Sequence, residues 1–262
     1  MNTKLSGAQL VLVPITKVGR NYLPEVQYLN GRMIKYIDFY PANYLPGITT
    51  AGVNSSSDLY FTITNEQGNE HLHYEVPMDR FNYAQTLGVR QPICTKVSLS
   101  NSYIDCQDAN QVGKVAALVF WYDLPQYSAR NTSEAVLTDA ISVPLTTAVR
   151  YNQLPDIDRL TGKRFRRVLL GMPTTTPDLQ TGLDASKLAN CYLTLRKGTY
   201  NVLQDVPVIL LYQMAMMEKS EFANIIFDLQ NSFITIGGAG TIPNVQTDYI
   251  GKSIFFNLVY EA

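Results

Sequence analysis

The stretch GKVAALVFWYD, residues 113–123, is answered near the end of the chain by GKSIFFNLVYE, residues 251–261. Aligned without a gap, Gly113 meets Gly251, Lys114 meets Lys252, Phe120 meets Leu258, Tyr122 meets Tyr260 and Asp123 meets Glu261, all 138 positions apart. Each is a Gly-Lys pair followed by a short apolar run, which reads as a turn feeding a strand. One match could be chance. A series of matches in the same order would make the chain a duplication.

The series exists. VLVPIT at 11–16 pairs with ISVPLT at 141–146, setting Pro14 against Pro144 at a separation of 130. LPEVQYLNGR at 23–32 pairs with LPDIDRLTGK at 154–163, 131 apart, repeating Leu, Pro, an acid, a β-branched residue, Leu, Gly and a base. MIKYIDFYP at 33–41 then faces FRRVLLGMP at 165–173, and LYFTIT at 59–64 faces CYLTLR at 191–196. EVP at 75–77 and LSNSYI at 99–104 face DVP at 205–207 and LQNSFI at 229–234. The separation drifts from 130 to 138, chiefly before the last strand, where TIGGAGTIPNVQTDYIGK outruns DCQDANQVGK. A duplicated β-module tolerates insertions in its turns. The expected organisation is a first domain over 1–123, a linker over 124–140 and a second domain over 141–262.

Within each half the apolar segments are short and rich in Val, Ile, Thr, Tyr and Phe, and turn clusters such as NEQGN at 65–69 separate them. In KVSLSNSYI, Val97, Leu99 and Tyr103 face one way while Lys96, Ser98 and Ser100 face the other, so the sheet has one buried face. The fold class expected is all-β, two tandem jelly-roll sandwiches, each carrying a short helix. The helices are placed after Pro77 and Pro207, since proline suits the first helical position, with Gly88 ending the first. VPVILLYQMAMM at 206–217 is apolar on nearly every side, and burial between modules or subunits is the preferred reading over an ordinary core helix.

Bulk composition narrows the function. Apolar residues make up 46% and charged residues 16%, with 17 tyrosines, so partners are expected to cover much of the surface. The net charge of −1 gives no broad pull toward nucleic acid or acidic lipid. The opening residues carry no apolar core of signal-peptide length, and synthesis in a cytoplasm is expected. The apolar run at 206–217 is shorter than the roughly 18–20 residues a membrane span needs. Cys94, Cys106 and Cys191 lack CxxC spacing and read as reduced, packed thiols.

Chemistry is scarce. His71 and His73 in EHLHYE share one strand face and with Glu70 form an incomplete metal set, so a polar strand face is the better reading. Neither GxSxG nor HExxH occurs. IGKS at 250–253 lacks the glycine a phosphate loop needs, since Gln246 stands there, and its Lys opens a strand. GGAG at 237–240 reads as a turn, and Asp156 and Asp158 as a solvated acidic turn. The sequence points to no catalytic residue, cofactor or metal. GKRFRR concentrates Lys163, Arg164, Arg166 and Arg167 at the start of a strand, a contact for another subunit's acidic loops or for nucleic-acid phosphates. Asn54 and Asn131 fit the glycosylation pattern.

Two fused β-modules without a catalytic set resemble the double jelly-roll major capsid proteins of tailless icosahedral viruses, above all the compact versions of bacterial viruses. The resemblance lies in architecture and duplication, runs from VLVPIT to NLVYEA, and matches no family signature residue by residue. It implies a homotrimer whose six jelly rolls form a pseudo-hexagonal capsomer, tiling an icosahedral shell within a virion, beside other virion proteins, over a membrane or directly over the genome. Two further readings fit the same features. One is an accessory protein of a tailed phage: a portal-associated ring, collar or head-decoration subunit. The other is a carbohydrate-binding β-sandwich, which needs exposed aromatic platforms, whereas Trp121 is expected to be buried in the last strand of its module.

Overall fold

The computed structural model describes residues 4–53, 58–84, 86, 90, 92–128, 136–146, 151–171, 181–183, 185–216, 225–237 and 248–261. The chain forms two compact units, one of residues 8–45 and 49–123, the other of 124–262 together with 1–7 and 46–48.

In the first unit the strands are β1 (Lys4–Pro14, here from Ala8), β2 (Gly19–Tyr22), β3 (Ile34–Tyr40), β4 (Leu59–Asn65), β5 (His71–Pro77), β6 (Val97–Cys106) and β7 (Val115–Ser128, here to Asp123). One sheet runs β3-β7-β1 and the other β2-β6-β4-β5. This is jelly-roll order: the last strand inserts between the first and third, while the second, sixth, fourth and fifth line up opposite. The run GKVAALVFWYD explains why β7 is central. From Val115 to Tyr122 every residue is buried, which only a strand covered on both faces permits.

In the second unit follow β8 (Val136–Pro144), β9 (Asn152–Gln153), β10 (Arg164–Gly171), β11 (Thr181–Gly182), α1 (Ala185–Leu188), β12 (Cys191–Lys197), β13 (Tyr200–Pro207), α2 (Val208–Met216), β14 (Ile225–Ile226), β15 (Asp228–Ile236) and β16 (Lys252–Glu261). One sheet is β14-β10-β16, with β8 antiparallel and β11 parallel to β16. The other is β13-β12-β15-β9. Lys4–Gly7, the leading end of β1, belongs to this unit, and β1 lies beside β13 in its sheet.

Local details recur from unit to unit. Ile34, Ile37 and Phe39 of β3 are buried, a spacing of three then two that strict alternation forbids, and the ladder to β7 shifts register between Ile34 and Tyr36. In β10 the buried set is Phe165, Val168 and Leu170, with the shift between Phe165 and Arg167. A bulge absorbs the extra residue in each case. Ser102 Oγ donates to the Ser98 carbonyl at 2.6 Å and accepts the Thr64 amide at 3.1 Å. Ser232 Oγ donates to the Asp228 carbonyl at 2.7 Å and accepts the Arg196 amide at 3.1 Å. Thr62 Oγ1 accepts the Glu75 amide, and Thr194 Oγ1 the Asp205 amide. Glu75 and Asp205 both take left-handed backbone, φ 47° and 51°, unusual for a side chain without local freedom. Asn21 Oδ1 accepts the Thr16 amide as Asn152 Oδ1 accepts that of Thr146. Gly113 and Gly251, at φ 87° and 81°, close the turns into β7 and β16 by donating to the carbonyls of Ile15 and Leu145. An alanine at either glycine is strained by about 1–2 kcal/mol. Thermal unfolding should record similar losses for Gly113→Ala and Gly251→Ala.

Two expectations need correction. After Pro77 the chain makes only a 3₁₀ turn, Met78–Phe81, because Asn82 turns extended and its side chain accepts the Ala84 amide; Gly88 lies outside the described residues. In the second unit α2 is a true helix, but it packs on β10, β12, β13 and α1, with Val208, Leu210 and Leu211 buried. It is a core helix of its own unit, so burial between modules or subunits is not needed to explain its composition. β7 reaches Ser128 and β8 starts at Val136, so strand occupies both ends of segment 124–140. Residues 129–135, with Asn131, lie outside the described residues, as do Asn54 and the glycine-rich insertion from 238 to 247.

Candidate functional site

The densest polar chemistry is inside the first unit. On the β3–β7 ladder Trp121 pairs with Tyr36 and Asp38 with Val119, so Asp38 and Trp121 are diagonal neighbours, and the Trp121 indole donates to Asp38 Oδ2 at 2.6 Å. Arg90 donates to both carboxylate oxygens, Nε to Oδ1 at 3.0 Å and Nη2 to Oδ2 at 2.7 Å. Its guanidinium lies 4.6 Å from the Tyr83 ring centroid, 5.1 Å from Trp121 and 5.3 Å from Tyr36. Burial pushes the Asp38 carboxyl above its ordinary range, against the pull of Arg90 and the indole. Both charges are almost wholly withdrawn from water, so this is an internal clamp and not a reactive centre. Trp121, buried and hydrogen-bonded, is no carbohydrate platform.

The nominated histidines do not converge. The ladder from β4 to β5 shifts register between Ile63 and Thr64, so His71 meets the Thr64 hydroxyl at 3.3 Å and the Tyr74 ring, while His73 packs edge-on to Phe81. Burial holds His73 below its usual pKa. Among the described residues no group of three His, Cys, Asp or Glu side chains is placed to hold a metal ion, and no helix is long and apolar enough to cross a membrane. Lys252 begins β16 after a glycine turn, not a helix, and Asp156 and Asp158 are exposed.

Of the basic run, Lys163 lies 6.0 Å over the Tyr260 ring. Arg164 pairs with Ile226, and the bulge falls between Phe165 and Arg167, which puts Arg166 at the irregularity. The side chains of Arg164, Arg166 and Arg167 are outside the described part of the structure. Cys106 and Cys191 are buried and their thiols raised by burial, whereas Cys94 is exposed, correcting the expectation of three packed thiols. A thiol reagent should label Cys94 in the native protein and the other two only after unfolding.

Two carboxylates in the second unit anchor its exterior. Asp139 on β8 accepts Arg159 Nη2 at 2.9 Å and Nε at 3.1 Å, and the Tyr260 hydroxyl at 2.9 Å. These bonds hold its pKa below the usual value. Burial would raise Asp228, but the Lys197 ammonium at 2.6 Å and the Gly198 amide at 2.7 Å carry it below. A carboxyl depressed in the folded state stabilises it above the unfolded pKa and loses that contribution as pH falls through the folded value. Stability should therefore fall below about pH 4, and Asp139→Asn should flatten that slope in acid titrations of the melting temperature.

Strand edges remain. In the described pairings β5 has a neighbour, β4, on one side only, and β8 has only β16. Along β8 the C-terminal Ile141 and Val143 are buried, while Leu137, Thr138 and Ala140 are exposed, Leu137 to 45%. Neither strand stood out in the sequence, because openness of an edge is a property of the whole sheet.

No family model matches this chain, and no curated protein matches it. Among solved structures it is similar to a chain from the atomic structure of Sulfolobus turreted icosahedral virus, at 11% identity over 98% of this chain and 90% of that one, with a TM-score of 0.24.

Proposed function

We propose that the chain is a duplicated jelly roll serving as a structural virion protein, a major capsid protein that trimerises into pseudo-hexagonal capsomers and tiles an icosahedral shell. The observation that carries this reading is the repetition, unit for unit, of the bulged third strand, the serine bridge between the sixth and fourth strands, and the left-handed acid on the fifth. Independent origins would not reproduce three such irregularities at matching positions. In this reading the first domain spans 1–123 and the second 141–262, joined through 124–140. Fusing two like modules lets a three-fold particle present nearly six-fold edges, which extend a lattice by heterologous contacts. Such a protein is made in the host cytoplasm and resides in the virion, and its role is geometric, not enzymatic. Lys163, Arg164, Arg166 and Arg167 form a contact for a neighbouring subunit or for nucleic acid in this reading; neutralising them removes a salt-dependent association in either case.

Native mass measurement tests the proposal. A trimer supports it, a ring of about twelve supports a portal-associated or collar role, and a stable monomer at high concentration overturns assembly as the primary role.

A further inference from the structure

We infer that the open edge of β5 is a docking site for a second copy of this chain, which adds the leading end of its β8 to the sheet. The inference rests on the duplication and on self-assembly as proposed above, and it names the surfaces that meet. β13 is the counterpart of β5: the one pairs with β12 as the other pairs with β4, both end in Val-Pro, and both carry the left-handed acid and two register shifts. Yet β13 is not bare. The chain's own leading strand lies beside it, within the unit that includes Lys4–Gly7.

The comparison answers the obvious objection, that β5 is too irregular to be extended. Charged residues and bulges protect edges against pairing, and β5 has both; but β13 has the same bulges and accepts a strand nevertheless. The strand that should serve β5 is fixed by the same correspondence. The residue 130 positions after Gly7 is Leu137, at the leading end of β8. That end is exposed, its outer edge is open, and it carries an unburied leucine. The chain thus presents two complementary edges among the described residues, a strand to give and a strand to extend, which is the condition for a closed ring of heterologous contacts between copies. Strand addition supplies main-chain hydrogen bonds without demanding any side-chain signature.

The test is amide exchange by mass spectrometry on the full chain, comparing the assembled particle with chain dissociated by dilution, with native mass read on the same samples and Trp121 fluorescence reporting that the dissociated chain stays folded. Exchange of β5 and of the leading half of β8 should be at least tenfold slower in the assembly, while β4 and β16 change little. Leu137→Asp should weaken assembly about tenfold and release protection at both edges together. An assembly in which either strand exchanges as fast as in the dissociated chain overturns the inference and leaves the capsid reading intact. A chain that never assembles overturns that reading and this one with it.

Discussion

Arg90→Ala is expected to lower the stability of the first unit by about 3–5 kcal/mol, the usual result of removing one partner from a buried ion pair. Asp38 would be left in the interior with only the indole N–H for company. Its remaining options are poor: staying charged without a cation, or taking up a proton and then lacking an acceptor for it. The guanidinium also fills space between Tyr36, Tyr83 and Trp121, so its loss opens a void beside three rings. Trp121 is the one tryptophan of the chain, and urea unfolding followed by its fluorescence reports on this unit. The double variant Asp38→Leu, Arg90→Met removes both charges at similar volume and should recover most of the loss, since apolar replacement of a buried pair is often neutral or better. If Arg90→Ala costs under about 1 kcal/mol, or the double variant is worse than the single one, the clamp is not what holds these elements together.

The clamp also shows where sequence reading stops. GKVAALVFWYD announced a buried strand, and its central place in the sheet follows from an unbroken apolar run. The pairing of LSNSYI with LQNSFI located Ser102 and Ser232 without revealing that each hydroxyl bridges two strands, because the bridge depends on a partner 38 or 36 residues away. Arg90 gave no signal, since its carboxylate lies 52 positions back and the ladder register of the other half puts Leu169 in place of Asp38 and Val259 in place of Trp121, one position off the sequence pairing, which sets Asp38 against Leu170. Proline and apolar composition placed a helix after Pro207 correctly, but after Pro77 they could not weigh the competing hydrogen bond of Asn82. His71 and His73 read as one face by alternation, and a bulge that no residue type advertises separated them.

That same kind of bulge sets the largest effect expected in the second unit. Phe165 is fully buried, its ring 4.4 Å from Phe227 and 6.2 Å from Tyr260, and it is the last inward residue before β10 slips register. Val168, three residues on, is the next residue of β10 described as buried, too far along the strand to lean into a space left at 165. A site that cannot collapse suffers both the lost transfer energy and the cavity, and Phe165→Ala should cost about 3–5 kcal/mol. Amide exchange along β10 and β16 measures it, with Cys191 accessibility as a second readout of the same unit. Ile34 holds the corresponding place before the slip in β3, and Ile34→Ala should cost about 2–5 kcal/mol there, read by Trp121 fluorescence. Matched losses at these two positions are what a common ancestral bulge requires. A Phe165→Ala protein that keeps its stability within about 1 kcal/mol would mean that the slip in β10 is not locked by this ring, and the likeness of the two bulges would then be superficial.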